Sequence, residues 1–85
     1  MPRIEAAFIL ALGLHHGYWV NLRETKGMRK DFTTLRKDME LRLLSPDGTF
    51  RKTLKVMDLN NAPYSVKVMD PDGDNPVQRG DLLEW

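Results

Sequence analysis

The stretch MELRLLSPDGTFRKTLKVMDL, residues 39–59, carries the strongest secondary-structure signal in the chain. On each side of its centre, apolar residues alternate with charged or polar ones. Such a period of two puts the apolar side chains on one face of a β-strand. Between the two runs, SPDG has the proline and the glycine that favour a tight turn. The stretch therefore predicts a β-hairpin.

More strands are predicted on either side of this hairpin. The segments FILALGL (8–14) and YWVNLRE (18–24) also alternate, and with the glycine turn between them they predict an opening hairpin over residues 4–24. A buried helix is the alternative for the first segment, because it is apolar all round a helical wheel. The segments YSVKVM (64–69) and VQRGDLLEW (77–85) predict two further strands.

The segment TKGMRKDFTTLRK (25–37) is polar and basic, with Met28, Phe32 and Leu35 as its apolar anchors. It predicts a long loop with at most one helical turn. Five or six short strands without a long helix predict an all-β fold, namely a small antiparallel β-barrel that forms one domain over residues 1–85. In so short a chain, closing the barrel removes the exposed strand edges.

The longest apolar run, AAFILALGL (6–14), is shorter than the ~20 residues that a membrane-spanning helix needs. The bulky residues HHGYW follow it, where a secretion signal has small residues at its cleavage site. We therefore expect a cytoplasmic protein.

Side chains suited to catalysis are scarce. The chain has no cysteine, which excludes disulfides, thiolate zinc sites and cysteine nucleophiles. His15 and His16 are adjacent, so they point to opposite faces of an extended chain and do not form a zinc site together. Ser45 and Ser65 lack the sequence context of a nucleophile. We therefore expect neither enzymatic activity nor a cofactor.

The stretch DPDGDNP (70–76) has carboxylates at alternate positions, as a calcium-binding loop does. However, Asn75 stands where such a loop needs glycine, and the flanking residues alternate like strands instead of forming helices. The stretch therefore predicts a strand connection. A weak cation site is the alternative, with four ligands: Asp70, Asp72, Asp74 and Asp81.

Positive charge is concentrated in the first two thirds of the chain, and six cations lie within residues 23–37, close to two aromatic residues. Cations can contact phosphates while an aromatic ring stacks on an unpaired base. We therefore predict a contact surface for RNA or a protein partner, formed by Tyr18, Trp19, Arg23, Lys26, Arg29, Lys30, Arg36 and Lys37. The alternatives are a solvated basic loop and a tryptophan that packs in the core or at the rim of the barrel.

Two segments, LRKDMEL (35–41) and QRGDLLE (78–84), each have a basic residue, an aspartate and an apolar strand start. Together with the order of the predicted strands, they resemble the β-barrel second domain of the translation elongation-factor GTPases, whose strands are often introduced by a Gly-Asp turn. The resemblance implies a barrel that docks RNA or a neighbouring protein domain and performs no chemistry. The chain has no G-x-x-x-x-G-K-[ST] loop for nucleotide phosphates.

These observations predict a noncatalytic binding module that docks RNA or a ribonucleoprotein partner through the basic loop and the adjacent aromatic residues. The alternative is a protein-interaction module, such as a homodimer, that does not bind nucleic acid.

Overall fold

The computed structural model of the chain describes residues 1–10, 17–61, 63–70 and 77–85. The strands are β1 (Arg3–Leu10), β2 (Tyr18–Leu22), β3 (Glu40–Leu44), β4 (Phe50–Asn61), β5 (Tyr64–Met69) and β6 (Leu82–Glu84), and a short helix, α1 (Met28–Phe32), follows β2. Neighbouring strands pair antiparallel in the order β1-β2-β5-β4-β3-β6, and β6 closes on β1. The predicted all-β antiparallel barrel is therefore confirmed, with six strands.

The strand pairing of both predicted hairpins is confirmed. Strand β3 pairs with β4 across the SPDG turn, where the Ser45 carbonyl accepts a hydrogen bond from the Gly48 N–H at 2.8 Å. Gly48 has φ 91°, a conformation that glycine adopts without a steric penalty. Strand β1 pairs with β2, so residues 3–10 are extended and the helical alternative is wrong for them. Residues 11–16 between the two strands, including His15 and His16, lie outside the described residues.

The inward-facing side chains form the core of the barrel. Strand alternation turns every second residue inward, and eight of these residues are at most 1% exposed: Val20, Leu41, Leu43, Leu54, Val56, Val66, Val68 and Leu83. A register shift between Ala6 and Phe8 interrupts the alternation in β1. After it Ile9 packs against the core, while Phe8 and Leu10 are 54% and 40% exposed. This bulge therefore moves two large apolar side chains to the outer face.

The segment between β2 and β3 crosses one end of the barrel. Its predicted apolar anchors, Met28, Phe32 and Leu35, are all buried in the core cluster. Phe32 packs edge-on against Tyr64, with ring centroids 5.0 Å apart. The Trp85 indole N–H donates a hydrogen bond to the Thr34 hydroxyl at 2.7 Å. This segment, residues 23–39, therefore covers the end of the barrel and is held there by its apolar side chains. We call it the lid segment.

A polar network fills the opposite end of the barrel. Lys52 contacts the buried carboxylate of Asp70 at 2.6 Å, and Arg51 contacts the buried carboxylate of Asp81 at 2.9 Å. The Gln78 N–H also donates to Asp81, at 2.8 Å. Each buried carboxylate thus has a cationic partner, which offsets the cost of removing it from water. Across the four described ranges, no helix is long and apolar enough to cross a membrane.

Candidate partner-binding surfaces

Tyr18 belongs to the core and not to a contact surface. Its side chain faces the barrel interior, the residue is 1% exposed, and its hydroxyl accepts a hydrogen bond from the Val77 N–H at 3.3 Å. Burial raises the pKa of the Tyr18 hydroxyl to about 12, against the lowering effect of the Val77 hydrogen bond. The prediction that Tyr18 contacts a partner is therefore wrong, because strand parity turns it inward.

Trp19 lies on the outer face of the sheet and is half-buried there. It is opposite Leu10 of β1 and Lys67 of β5. Arg23 follows on the same face, where its guanidinium contacts the Glu5 carboxylate at 2.6 Å. Arg23, directly after β2, thus has the same parity as Trp19, but its charge is neutralised by Glu5 of β1.

The cations that follow Arg23 lie on the lid segment, and several have partners within the chain. Arg29 contacts Glu24 at 3.2 Å, and Lys37 contacts Asp58 at 3.6 Å. The Arg36 guanidinium donates to the backbone carbonyls of Thr33 and Leu35. In the part of the chain that the structure describes, the side chains of Lys26 and Lys30 are exposed and make no hydrogen bond or ion pair. The positive charge available to a partner is therefore concentrated near α1.

A cleft of about 370 Å³ opens beside α1, between the end of β2 and the β4–β5 connection. Its lining residues are Leu22, Glu24, Arg29, Asn61, Pro63 and Tyr64. The Arg29 guanidinium lies 5.9 Å from the centroid of the Tyr64 ring, so the aromatic residue below the basic segment is Tyr64 and not Trp19. A second cleft of about 300 Å³ lies on the other side of Asn61.

The α1 cleft, as we call the larger of the two, combines three kinds of recognition chemistry. The Tyr64 ring offers a flat apolar surface and is held by its contact with Phe32. The Asn61 side-chain amide can both donate and accept hydrogen bonds, and the Arg29 guanidinium is a planar cation. Sequence reasoning missed Tyr64 and Asn61, because nothing in NNAPY (60–64) indicates that the lid segment comes close to it.

A separate apolar surface lies on the outer face of β1 and β2. The register places Phe8 opposite Asn21 and Leu10 opposite Trp19. Phe8 and Leu10 are among the most exposed large apolar side chains of the described residues. We name Phe8, Leu10 and Trp19 the outer apolar strip. It depends on the bulge in β1, which the amino-acid pattern did not predict.

Two of the four predicted cation ligands, Asp72 and Asp74, lie outside the described residues. The other two, Asp70 and Asp81, contact Lys52 and Arg51 as given above. Among the described residues there is no group of three or more metal-ligating side chains. The weak cation site stays a prediction.

The two segments that resemble elongation-factor barrels both turn into a strand through a residue with positive φ. Asp38 has φ 71° before β3, and Gly80 has φ 95° before β6. In the second segment, the Asp81 carboxylate accepts a hydrogen bond from the Gln78 N–H and so caps the turn before β6. No protein-family model, curated protein or solved structure matches this chain. The resemblance therefore stays a prediction.

Proposed function

We propose that this chain is a noncatalytic binding module that docks single-stranded RNA in the α1 cleft. One observation carries the proposal, namely that the Tyr64 ring, the Asn61 amide and the Arg29 guanidinium line a single cleft. Lys26 and Lys30 extend from the segment beside it. Stacking on Tyr64 would hold a base, and the three cations would contact the flanking phosphates.

The resemblance to the barrel domain of elongation-factor GTPases supports an RNA or ribonucleoprotein partner. In this proposal the protein acts in the cytoplasm and performs no chemistry itself. Recognition is tolerant of sequence, because every base has a flat face that can stack on tyrosine. Stacking on one ring contributes about 1–3 kcal/mol, so a single cleft predicts modest affinity.

The number of cations at the cleft predicts the salt dependence. For single strands, log affinity falls against log salt with a slope of about −0.7 for each neutralised phosphate. Lys26, Arg29 and Lys30 can neutralise at most three phosphates, so we expect a slope of about −2.

The experiment is a fluorescence anisotropy titration with a short labelled oligouridylate at several salt concentrations. The double variant Lys26→Gln/Lys30→Gln should flatten the slope and weaken binding at low salt. The matched control, Lys55→Gln/Lys67→Gln, removes the same charge from the outer face of β4 and β5 and should bind more tightly than the cleft variant. Absence of binding at low salt, or equal loss in both double variants, would contradict the proposal.

A second candidate is a homodimer that buries the outer apolar strip. Phe8 and Leu10 are 54% and 40% exposed, and they lie next to Trp19 on a continuous sheet face. The adjacent Arg23–Glu5 ion pair is neutral overall, so it adds no net charge to a contact between two identical copies.

Sedimentation equilibrium tests this candidate. A Phe8→Ser variant should shift the protein from dimer to monomer, whereas Phe50→Ser should not. Phe50 is a suitable control because it is 48% exposed but lies outside the strip. A wild-type chain that is monomeric at high concentration would exclude the homodimer.

A further inference from the structure

Three charged side chains form a row across β1, β6 and β3. The strand register places Glu84 of β6 directly opposite Arg3 of β1 on one side and Arg42 of β3 on the other. Leu83 faces the core, so Glu84 lies on the outer face of the sheet. Its side chain is nevertheless only 7% exposed. The carboxylate therefore lies beneath the two arginines.

Both oxygens of Glu84 are occupied by these arginines. Arg3 donates to Oε2 from Nε and Nη2, at 3.1 Å and 2.8 Å. Arg42 donates to Oε1 from Nη1, at 2.6 Å. The hydrogen bonds from Arg3, together with the charges of both arginines, hold the pKa of Glu84 below its ordinary value against the effect of desolvation. Glu84 thus fixes the positions of two guanidinium groups.

The row has an excess of positive charge. Two guanidiniums share one carboxylate, and within the described ranges neither arginine contacts another acidic side chain. The side chains of Arg3 and Arg42 are 48% and 45% exposed, so part of each guanidinium remains available to a ligand. Arg23, by contrast, pairs one to one with Glu5.

An aromatic side chain adjoins the row. Phe50 at the start of β4 is 48% exposed, and the Arg42 guanidinium lies 4.8 Å from the centroid of its ring. This cation–π contact holds the plane of the guanidinium near the ring. The remaining exposed ring surface is available for stacking. Strand β6 is three strands from β5 in the six-stranded barrel, so the row and the α1 cleft lie on different sides of the molecule.

We propose that Arg3, Arg42 and Phe50 form a binding site for a nucleoside monophosphate. The two guanidiniums, preorganised by Glu84, bind the phosphate dianion, since a planar fork of N–H donors matches phosphate oxygens. Phe50 stacks on the base, which is why a nucleotide fits this site better than a simple phosphate or a phosphorylated side chain. The site is independent of the RNA proposal.

The experiment is an NMR titration of the ¹⁵N-labelled chain with adenosine monophosphate, following the Nε–Hε signals of the arginines and the amide of Phe50. We expect saturable shifts of Arg3, Arg42 and Phe50, and at least tenfold weaker binding by Arg42→Gln. Arg42→Lys keeps the ion pair with Glu84 but loses the planar fork, so it should stay folded and also bind several-fold more weakly. Arg23→Gln, which removes an arginine with a one-to-one partner, should bind like the wild type.

Further ligands separate the sources of affinity. Inorganic phosphate and phosphoserine should bind more weakly than adenosine monophosphate, and Phe50→Leu should remove this difference. Equal affinity for all three ligands would overturn the assignment to a nucleotide. Shifts that are absent at Arg3 and Arg42, or binding unchanged in Arg42→Lys, would overturn the site itself. The variant Lys26→Gln/Lys30→Gln should bind adenosine monophosphate normally. A failure of the RNA proposal can therefore be distinguished from a failure of the nucleotide site.

Discussion

At the scale of a single residue, Tyr18 makes the stability of the fold depend on pH. Burial disfavours its phenolate, so the pKa is about 12 in the folded chain and about 10 in the unfolded chain. Between these values the unfolded state loses the proton first and becomes more favourable. The stabilisation is therefore complete below about pH 10 and is lost as the pH rises through about 12.

At this scale we predict the effect of Tyr18→Phe. Two pKa units correspond to about 2–3 kcal/mol. Between about pH 9.5 and 12, the free energy of unfolding should therefore fall further in the wild type than in Tyr18→Phe, and the difference should be about this amount. Urea unfolding at a series of pH values measures the difference. Tyr64→Phe leaves Tyr18 in place and should keep the wild-type profile. Parallel profiles for wild type and Tyr18→Phe would contradict the assignment of the raised pKa.

At the scale of elements, α1 depends on its tertiary contacts. A helix of five residues has too few hydrogen bonds to be stable alone in water. Gly27 before it has φ 88°, and no side-chain cap closes its N-terminus. Burial of Met28 and Phe32 against the barrel end therefore holds the helix in place, and with it one wall of the α1 cleft.

We predict that Phe32→Ala lowers the free energy of unfolding by about 3 kcal/mol, because it removes a buried ring and its edge-on contact with Tyr64. The same change should weaken binding of oligouridylate. Thr33→Ala alters an exposed neighbour and should change stability by no more than about 1 kcal/mol. Urea unfolding together with hydrogen exchange of the α1 amides provides the measurement. Unchanged exchange in Phe32→Ala would show that the lid does not depend on this ring.

At the scale of the whole molecule, β6 closes the barrel although it has only three residues. It pairs with β1 on one side and β3 on the other, and the row Arg3–Glu84–Arg42 crosses the same three strands. The lowered pKa of Glu84 means that the unfolded state takes up its proton first as the pH falls. Its stabilisation is therefore present above its unfolded pKa of about 4.5 and is lost as the pH falls through the lower folded pKa.

We therefore predict that Glu84→Gln makes the melting temperature less sensitive to acid below about pH 4.5. At neutral pH the variant should melt at a lower temperature than the wild type, because two arginines lose their carboxylate. Glu24→Gln, which removes the exposed partner of Arg29, is the matched control and should keep the wild-type acid profile. Thermal unfolding from pH 7 to pH 2.5 decides between these outcomes. Identical profiles for Glu84→Gln and the wild type would show that protonation of Glu84 does not destabilise the barrel.

The candidate sites were predictable only in part. Lys26 and Lys30 of the basic segment are exposed, and their part in binding a partner stays a prediction. Tyr18 was assigned to the wrong side, because adjacent aromatic residues on a strand point in opposite directions. Tyr64, Asn61 and the Arg3–Glu84–Arg42 row were missed, because each site joins residues that are far apart in the chain.

The sequence by itself determined the β3–β4 hairpin with its turn and the all-β class. Alternation is a local property, so Leu41, Leu43, Leu54 and Val56 indicate an inward face wherever their strands pair. Only the tertiary structure decided which side chains meet. The bulge in β1 turns Phe8 outward, and barrel closure brings Arg3 to Glu84. These contacts follow from register and chain crossing, which depend on the balance of packing over the whole barrel and not on any local pattern.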